Sequence, residues 1–350
     1  MKKVLLFIFL FIRQVGFAQV DWHNPSSLFG SVFQPDAEPE TGPIFDARTD
    51  ASGVLHVVWV AAGNNGPGRL YHSALKNGQF SPPVRVSAAS IRSAVTPQLH
   101  RRPSGTMALV WVEFNSSTAK IYFSELGTDD KWSKPEQISG PLDFSVFPVI
   151  SAISDQRLVV AYSEISLDTL TVTVKSNVIL KERLGNGTWE KIPFPADSTA
   201  YRPALFYSSG KLHAAWFAGG DQRTVPANNY VAYAIFENGQ WGEVRILSNS
   251  ISQQISDDEA IYIIGQASGE VALLWSSFIP FERQMMINPP QGQATSMPFD
   301  INRQASALFD QNGILHILAD EDEGKPLHYA YFKDGVWSQK TQIEMVAMNT

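Results

Sequence analysis

Three glutamates hold one position in a phrase that recurs along the chain, two residues past the end of an apolar run: Glu113 after Trp111, Glu164 after Tyr162 and Glu321 after Ala319. The other copies carry Ala61, Ala218 and Ser277 there. Equivalent positions of a repeat project to equivalent places, so three carboxylates are expected along one rim. Breaking a glycosidic bond needs two such groups about 5 to 10 Å apart, one as acid and one as base or nucleophile. Glu113, Glu164 and Asp258, the last within Asp257-Asp258-Glu259, are therefore the candidate acid–base groups. Solvated loop acids, or partners of a nearby Lys or Arg, fit the same residues. Arg92, Arg202 and Arg303 precede or open the first apolar segments of the second, fourth and sixth copies, and a planar guanidinium suits bidentate binding of a carboxylate. Surface ion pairs would use the same arginines. Acidic stretches around Asp36 to Glu40, Asp257 to Glu259 and Asp320 to Glu323 offer oxygen ligands to Ca²⁺ without the spacing of an ordered calcium loop, and no other cofactor or metal is expected. The chain has no Gly-rich phosphate loop, His-Glu-x-x-His helix or Gly-x-Ser-x-Gly elbow.

The elements that would position these groups follow from the repeat, whose period of roughly 50 residues indicates a propeller, solenoid or array. Six apolar runs end at Trp59, Trp111, Tyr162, Trp216, Trp275 and Ala319, each opened by a turn such as Ser52-Gly53, Ser104-Gly105 or Asn312-Gly313. Each is preceded by another short apolar segment, as in Pro97-Gln98-Leu99, Pro148-Val149-Ile150 and Pro203-Ala204-Leu205, with the proline expected at the strand start, where it costs no ladder hydrogen bond. Segments such as Ile121-Tyr122-Phe123 and Gly239-Gln240-Trp241 supply third and fourth strands. The expected fold is all-β: a six-bladed β-propeller of four-stranded antiparallel blades over residues 43–350, since ring closure removes sheet edges that would otherwise aggregate. The third copy, lengthened around Asp168 to Arg183, and the fifth, with Pro280 and Pro289-Pro290, break the pattern. Loops at such breaks are where function is grafted onto a repeat, although simple drift also produces them.

Two columns read as structure. His56, His213 and His316 are equivalent, and a reacting histidine needs no copies in other blades, so a recurrent hydrogen bond is expected. Trp59, Trp111, Trp216 and Trp275 form one packing column and Trp132, Trp189, Trp241 and Trp337 another.

Met1-Lys2-Lys3 followed by the apolar run Val4 to Ile12 and by Gly16-Phe17-Ala18 reads as a signal peptide of residues 1–18, too short to span a bilayer. Residues 19–42 then form an N-terminal segment of open role. The chain contains no cysteine, which excludes disulfides, thiolate metal sites and a lipid-modified N-terminal Cys, and it has no later membrane-length apolar run. A secreted or periplasmic bacterial product is expected. A formal charge of -7 without a basic stripe excludes nucleic acid as partner.

The Gly-x-Leu-His-x-x-Trp phrase of Gly53 to Trp59, the matching segments Gly210 to Trp216 and Gly313 to Ala319, and the Trp-Ser-x-Pro of Trp132 to Pro135 resemble the sialidase-like (BNR-repeat) six-bladed propeller superfamily over nearly all of the mature chain. Tyr201-Arg202-Pro203 is similar to that family's aromatic-Arg-Ile-Pro motif, whose arginine binds the substrate carboxylate. The resemblance implies a ligand at the central mouth, where Arg92, Tyr201, Arg202, Arg303 and Glu321 would bind. It also leaves three readings open: glycan recognition without established catalysis, an exo-glycosidase acting on an acidic sugar, or a protein-interaction scaffold.

Overall fold

The computed structural model describes residues 45–61, 67–88, 92–115, 117–140, 144–168, 173–196, 199–219, 230–248, 261–266, 268–279, 282–288, 294–297, 304–320 and 327–343. Among them every regular element is a strand. The expected signal peptide and N-terminal segment lie outside the described residues, as do Asp258, Arg303 and Glu321. The chain divides into two compact units, one of Met1–Ser166 with Ile179–Ile192, the other of Leu167–Val178 with Pro193–Thr350.

The first unit opens with a meander of β1 (Phe45–Thr49), β2 (Leu55–Ala61), β3 (Arg69–Lys76) and β4 (Gln79–Phe80), with β5 (Val84–Arg85) also on β3. A second meander has β6 (Ser93–Arg101), β7 (Met107–Phe114), β8 (Ala119–Glu125) and β9 (Glu136–Gln137). The third, mostly in this unit, has β10 (Phe144–Ser154), β11 (Arg157–Asp168), β12 (Thr173–Arg183) and β13 (Trp189–Ile192). One parallel bridge, Phe144 to Ala119, joins β10 to β8. The irregular third copy thus lengthens a hairpin and adds no separate element.

The second unit repeats the plan three times. Its first meander is β14 (Thr199–Ser208), β15 (Lys211–Gly219), β16 (Tyr230–Glu237), β17 (Gln240–Trp241) and β18 (Arg245–Ile246). Then come β19 (Ile261–Gly265), β20 (Val271–Ile279), β21 (Glu282–Asn288) and β22 (Thr295–Ser296), and finally β23 (Gln304–Phe309), β24 (Leu315–Asp320), β25 (Leu327–Lys333), β26 (Val336–Trp337) and β27 (Thr341–Ile343). All pairs within a meander are antiparallel, as their short hairpin connections require.

The prolines correct one expectation. Pro97, Pro148 and Pro203 sit inside β6, β10 and β14, each just after a residue with positive φ: Thr96 (φ 47), Phe147 (φ 54) and Arg202 (φ 49). At all three the register slips by one residue, between Val95 and Gln98, Val146 and Val149, and Tyr201 and Ala204. A bulge leaves its extra residue out of the ladder, so a proline there removes no pairing that the strand would otherwise make. First strands in three meanders are thereby kinked at one place, and Arg202 sits on one of the kinks.

Meanders pack through the tryptophan column. Trp111, Trp216 and Trp275 are fully enclosed, and Trp59 nearly so. Trp111 packs with Val58, Leu70, Leu99 and Leu109 between the first two meanders, while Trp275 packs with Ala204, Phe217, Val231 and Ile261 between the fourth and fifth. Two side chains on first strands also hook the next first strand in the first unit. Asp46 Oδ2 accepts the Leu99 backbone N–H at 2.8 Å, and His100 Nε2 accepts that of Ala152 at 3.0 Å. Each hook satisfies an N–H on a strand edge that would otherwise lack a partner inside the protein.

The recurrent histidine bond is present in all three copies. His56 Nδ1 lies 3.0 Å from His72 Nε2, and the Nδ1 atoms of His213 and His316 lie 2.6 Å from the hydroxyls of Tyr233 and Tyr329. In the first and last meanders an aspartate from the preceding turn, Asp50 or Asp310, approaches the other ring nitrogen at 3.5 Å. Those aspartates also cap their turns, accepting from Val54 N at 2.9 Å and from Ile314 N at 2.8 Å, across Gly53 and Gly313 in the left-handed region.

One glycine marks a tight contact between neighbouring first strands. A Cβ at Gly265 would stand 1.9 and 2.0 Å from ring atoms of Phe206. Gly265→Ala must displace a packed ring and is expected to cost about 1–3 kcal/mol in urea unfolding. Gly242→Ala, whose nearest neighbour would be Ile235 O at 3.5 Å, should change stability by less than about 0.5 kcal/mol. Equal effects of the two would show that the Phe206 ring moves freely.

Candidate functional site

The described candidates of the first unit come together at one end of its second and third meanders, where β6 and β8 begin and β7 ends. Glu113, at the end of β7, pairs in register with Ala94 of β6 and with Lys120 of β8. Both charged residues are enclosed, Glu113 at 2% and Lys120 at 6% exposure, a placement that Glu and Lys adopt almost only as partners. The Glu113 carboxylate accepts a hydrogen bond from Trp111 Nε1 at 3.3 Å. Side chains two apart on a strand share a face, so the carboxylate two residues beyond the aromatic serves that aromatic. Trp59 and Trp216 have alanine at the same offset, and their indole N–H groups have no partner among the described residues.

Arg92 enters through Tyr122. Its guanidinium hydrogen-bonds the Tyr122 hydroxyl, and the Tyr122 ring stacks on Trp111 with centroids 5.9 Å apart. Burial first, then the negative Glu113, push the Tyr122 pKa up, against the pull of Arg92, so at neutral pH the phenol keeps its proton. Arg92, Tyr122 and Glu113 thus form a chain of polar groups lying over Trp111.

Glu164 reaches the same place from β11. Lys120 Nζ donates to Gly140 O at 3.3 Å, and a Cβ on Gly140 would lie 3.8 Å from Glu164 Oε1, so Lys120 and Glu164 meet at Gly140. Glu164 also pairs in register with Ser145 of β10, a wholly enclosed serine whose hydroxyl has no hydrogen-bond partner among the described residues. On its other side Glu164 acts on two neighbours. Burial raises the Tyr162 pKa and Glu164 raises it further; burial lowers that of Lys181, which Glu164 partly offsets. Lys181 Nζ is held by Ile138 O at 2.7 Å.

Tyr201 and Arg202 belong to the second unit. Both are buried in β14, with the Arg202 guanidinium 5.6 Å from the Tyr201 ring centroid, within cation–π range. Arg202 also acts electrostatically on Tyr262 in β19, favouring its ionised form. Holding a non-glycine residue at φ 49 inside a strand costs of order 1–3 kcal/mol, and such strain gathers at sites that use it.

Lys120, Tyr122 and Ser145 escaped the reading of residue columns. Register was the signal available: a hairpin from Glu113 to Lys120 puts the two opposite each other once Asn115 is taken as its turn. No group of three or more His, Asp or Glu side chains among the described residues is placed to hold a metal ion. Of the proposed Ca²⁺ loops, Asp36 to Glu40, Asp257 to Glu259 and Glu321 to Glu323 lie outside the described residues. No helix among the described residues is long and apolar enough to cross a membrane.

Neither the models of known protein families nor the curated protein sequences match this chain. Solved structures do. An α-L-arabinanase from Penicillium chrysogenum complexed with arabinobiose superposes with a TM-score of 0.55 at 13% identity, over 85% of this chain and 95% of that one. The α-L-arabinofuranosidase Arb93A of Fusarium graminearum with an iminosugar inhibitor gives 0.55 at 12%, over 82% and 90%. A polysaccharide lyase of family PL25, an ulvan lyase, gives 0.54 at 11%, over 82% and 78%. At such identities the likeness is one of fold alone: the chain is an all-β propeller, as the repeats indicate.

Proposed function

We propose that this protein is a secreted, sialidase-like propeller of six blades that recognises a glycan at the rim formed by Arg92, Glu113, Lys120, Tyr122 and Glu164. One observation carries the reading: Glu113 and Lys120 are buried opposite each other at strand ends and linked to Arg92 through Tyr122. Charges enclosed at a rim, outside any core, offer the few fixed donors and acceptors that orient a hydroxyl-rich ligand. The propellers that share the fold include proteins solved with arabinobiose and an iminosugar, which favours a sugar as the ligand class.

A glycan array followed by calorimetry tests this. Arg92→Ala and Glu164→Gln are each expected to weaken the best glycan at least about tenfold, equivalent to about 1.4 kcal/mol, with the melting temperature little changed. Unchanged binding in both variants would move the ligand elsewhere. Co-purification of a protein partner with no glycan bound would favour the scaffold reading.

The two carboxylates, Glu113 and Glu164, support a second reading as an exo-glycosidase acting on an acidic sugar, with Arg92 of the same unit gripping the sugar carboxylate. Release of a fluorogenic aglycone that disappears in Arg92→Ala and in Glu113→Gln would establish turnover. No release across a broad panel leaves recognition alone.

A further inference from the structure

Arg69 and Lys120 hold one place in successive meanders. Each stands just before a residue, Leu70 or Ile121, whose N–H donates to a serine hydroxyl in the connection that follows, Ser87 Oγ at 3.1 Å or Ser139 Oγ at 3.0 Å. Leu70 O and Ile121 O also accept from Val86 N at 2.8 Å and Ile138 N at 2.9 Å, so the two connections leave their meanders in the same way. The cations differ in what faces them. Lys120 pairs in register with Glu113, whereas Arg69 pairs with Ala61, a partner that offers no carboxylate.

Arg69 instead reaches into the approach to β6, where its Nη1 donates to Arg92 O at 3.1 Å. Gly68, the residue before it, donates its N–H to Ser93 Oγ at 3.1 Å, and its carbonyl accepts the Ala94 N–H at 3.0 Å. Three consecutive residues, Arg92 to Ala94, are thus bonded to two at the opening of β3. The approach is close: a Cβ at Gly68 would stand 2.9 Å from Val60 Cγ1 and 3.3 Å from Ala94 O. At the other described end of the connection, Arg85 donates from Nε to Ser87 O at 3.0 Å and from Nη2 to Ala88 O. The backbone of Arg92 is therefore fastened to the first meander, while its guanidinium goes to Tyr122 of the second.

A long side chain that must be ordered when ligand binds loses affinity, and one whose backbone is already held loses less. We infer that Gly68 and Arg69 position Arg92 for the ligand, so that the first meander shapes a rim whose contact groups all belong to the next two. Arg69 is a positioning residue: it acts through Arg92 O and need not touch the ligand. The inference rests on the glycan-binding reading and adds a residue that reading does not contain. Lys120, which donates to Gly140 O from the equivalent place, shows that a lysine there also reaches a carbonyl of the following connection, so Arg69→Lys is the conservative variant.

Calorimetry on the full chain, with the best glycan from the array, tests it. Arg69→Met should weaken binding about fivefold and Arg69→Lys by less than about twofold, with melting shifted by less than ~2 °C in both. In the Arg92→Ala background Arg69→Met should cost nothing more, because the group it positions is gone. Carbon-13 at tyrosine Cζ gives a readout that needs no ligand. Arg92→Ala should move the Tyr122 resonance, assigned by its absence from Tyr122→Phe, and Arg69→Met should move it in the same direction. Losses that add in the double variant, or an Arg69→Met protein with the affinity and the Tyr122 resonance of the parent, overturn the positioning role and leave glycan recognition standing. If the parent binds no glycan, the recognition reading falls; a Tyr122 resonance that Arg69→Met leaves in place then overturns the positioning of Arg92 as well, and one that moves upholds it.

Discussion

At pH 5 the protein is expected to have lost most of the stability it shows at pH 7.5, because it buries histidines that must stay neutral to keep its blades together. Burial lowers the pKa of His72 to about 3, with His56 adding to the effect, lowers that of His100 to about 3, helped by Arg48, Arg101 and Arg102, and lowers that of His213 to about 4. His56 moves the same way through burial, although Asp50 opposes it. The ordinary value is 6.5, so between pH 6.5 and about 3 the unfolded chain binds protons that the folded chain refuses. Stability contributed by these groups is therefore complete above pH 6.5 and lost progressively as pH falls through that window. One unit of pKa is worth about 1.4 kcal/mol, so each group costs roughly 2 kcal/mol at pH 5 and three cost about 6 kcal/mol. A domain with 5–15 kcal/mol in hand has little left.

His100 shows the mechanism most directly, since its Nε2 must be unprotonated to accept the Ala152 N–H. His100→Gln, which offers an amide oxygen to the same donor, should shrink the drop between pH 7.5 and pH 5 by roughly 2 kcal/mol in urea titrations. Asp50 and Asp310, whose pKa values are lowered by hydrogen bonds within their turns, lose their contribution only below the carboxylate range and do not disturb this window. A stability that stays flat from pH 7.5 to pH 5, or histidine resonances titrating near 6.5, would refute the account.

What a chain of repeats discloses and what it hides follow from the range of the interaction. The strands, the tryptophan columns and the histidine column were legible because each is a local pattern written several times. Glu113 and Glu164 stood out for the same reason. Hidden were the groups that act across about 50 residues of chain, such as Asp46 on Leu99 N and His100 on Ala152 N, because their partners are backbone atoms and leave no trace in residue type. The prolines misled in an instructive way. Three copies of a residue followed by proline could mark strand starts or bulges, and only the register separates the two. Tyr122 was read as one member of a third-strand run, whereas its place over Trp111 makes it the link between Arg92 and Glu113. The rim thus owes its shape to pairing, and the columns reveal only which copies carry charge.

Glu125→Ala is expected to cost about 3–5 kcal/mol, although nothing in the repeat singles this residue out. Its carboxylate sits between two guanidinium groups, with Oε2 against Arg102 and Oε1 3.3 Å from Arg183. Arg102 also donates to Asp155 O at 2.7 Å, and Arg183 lies 5.1 Å over the Phe123 ring, so neither can swing into water without giving up a second contact. The arginine side chains are 13% and 19% exposed, and removing the carboxylate leaves two enclosed like charges facing each other. Glu125→Gln keeps the shape and one acceptor, so the part of the loss it reproduces measures charge alone. Adding Arg183→Met to the alanine variant should restore about half the loss, because the surviving charge is then relieved of its neighbour. Losses below about 1 kcal/mol would mean that water screens the cluster and that it is an ordinary surface network. Glu125 ends β8, whereas Lys120 lies near its start, so the folded fraction of the alanine variant should bind glycan as the parent does. Separating those two readouts distinguishes the residues that hold the second and third meanders together from those that meet the ligand.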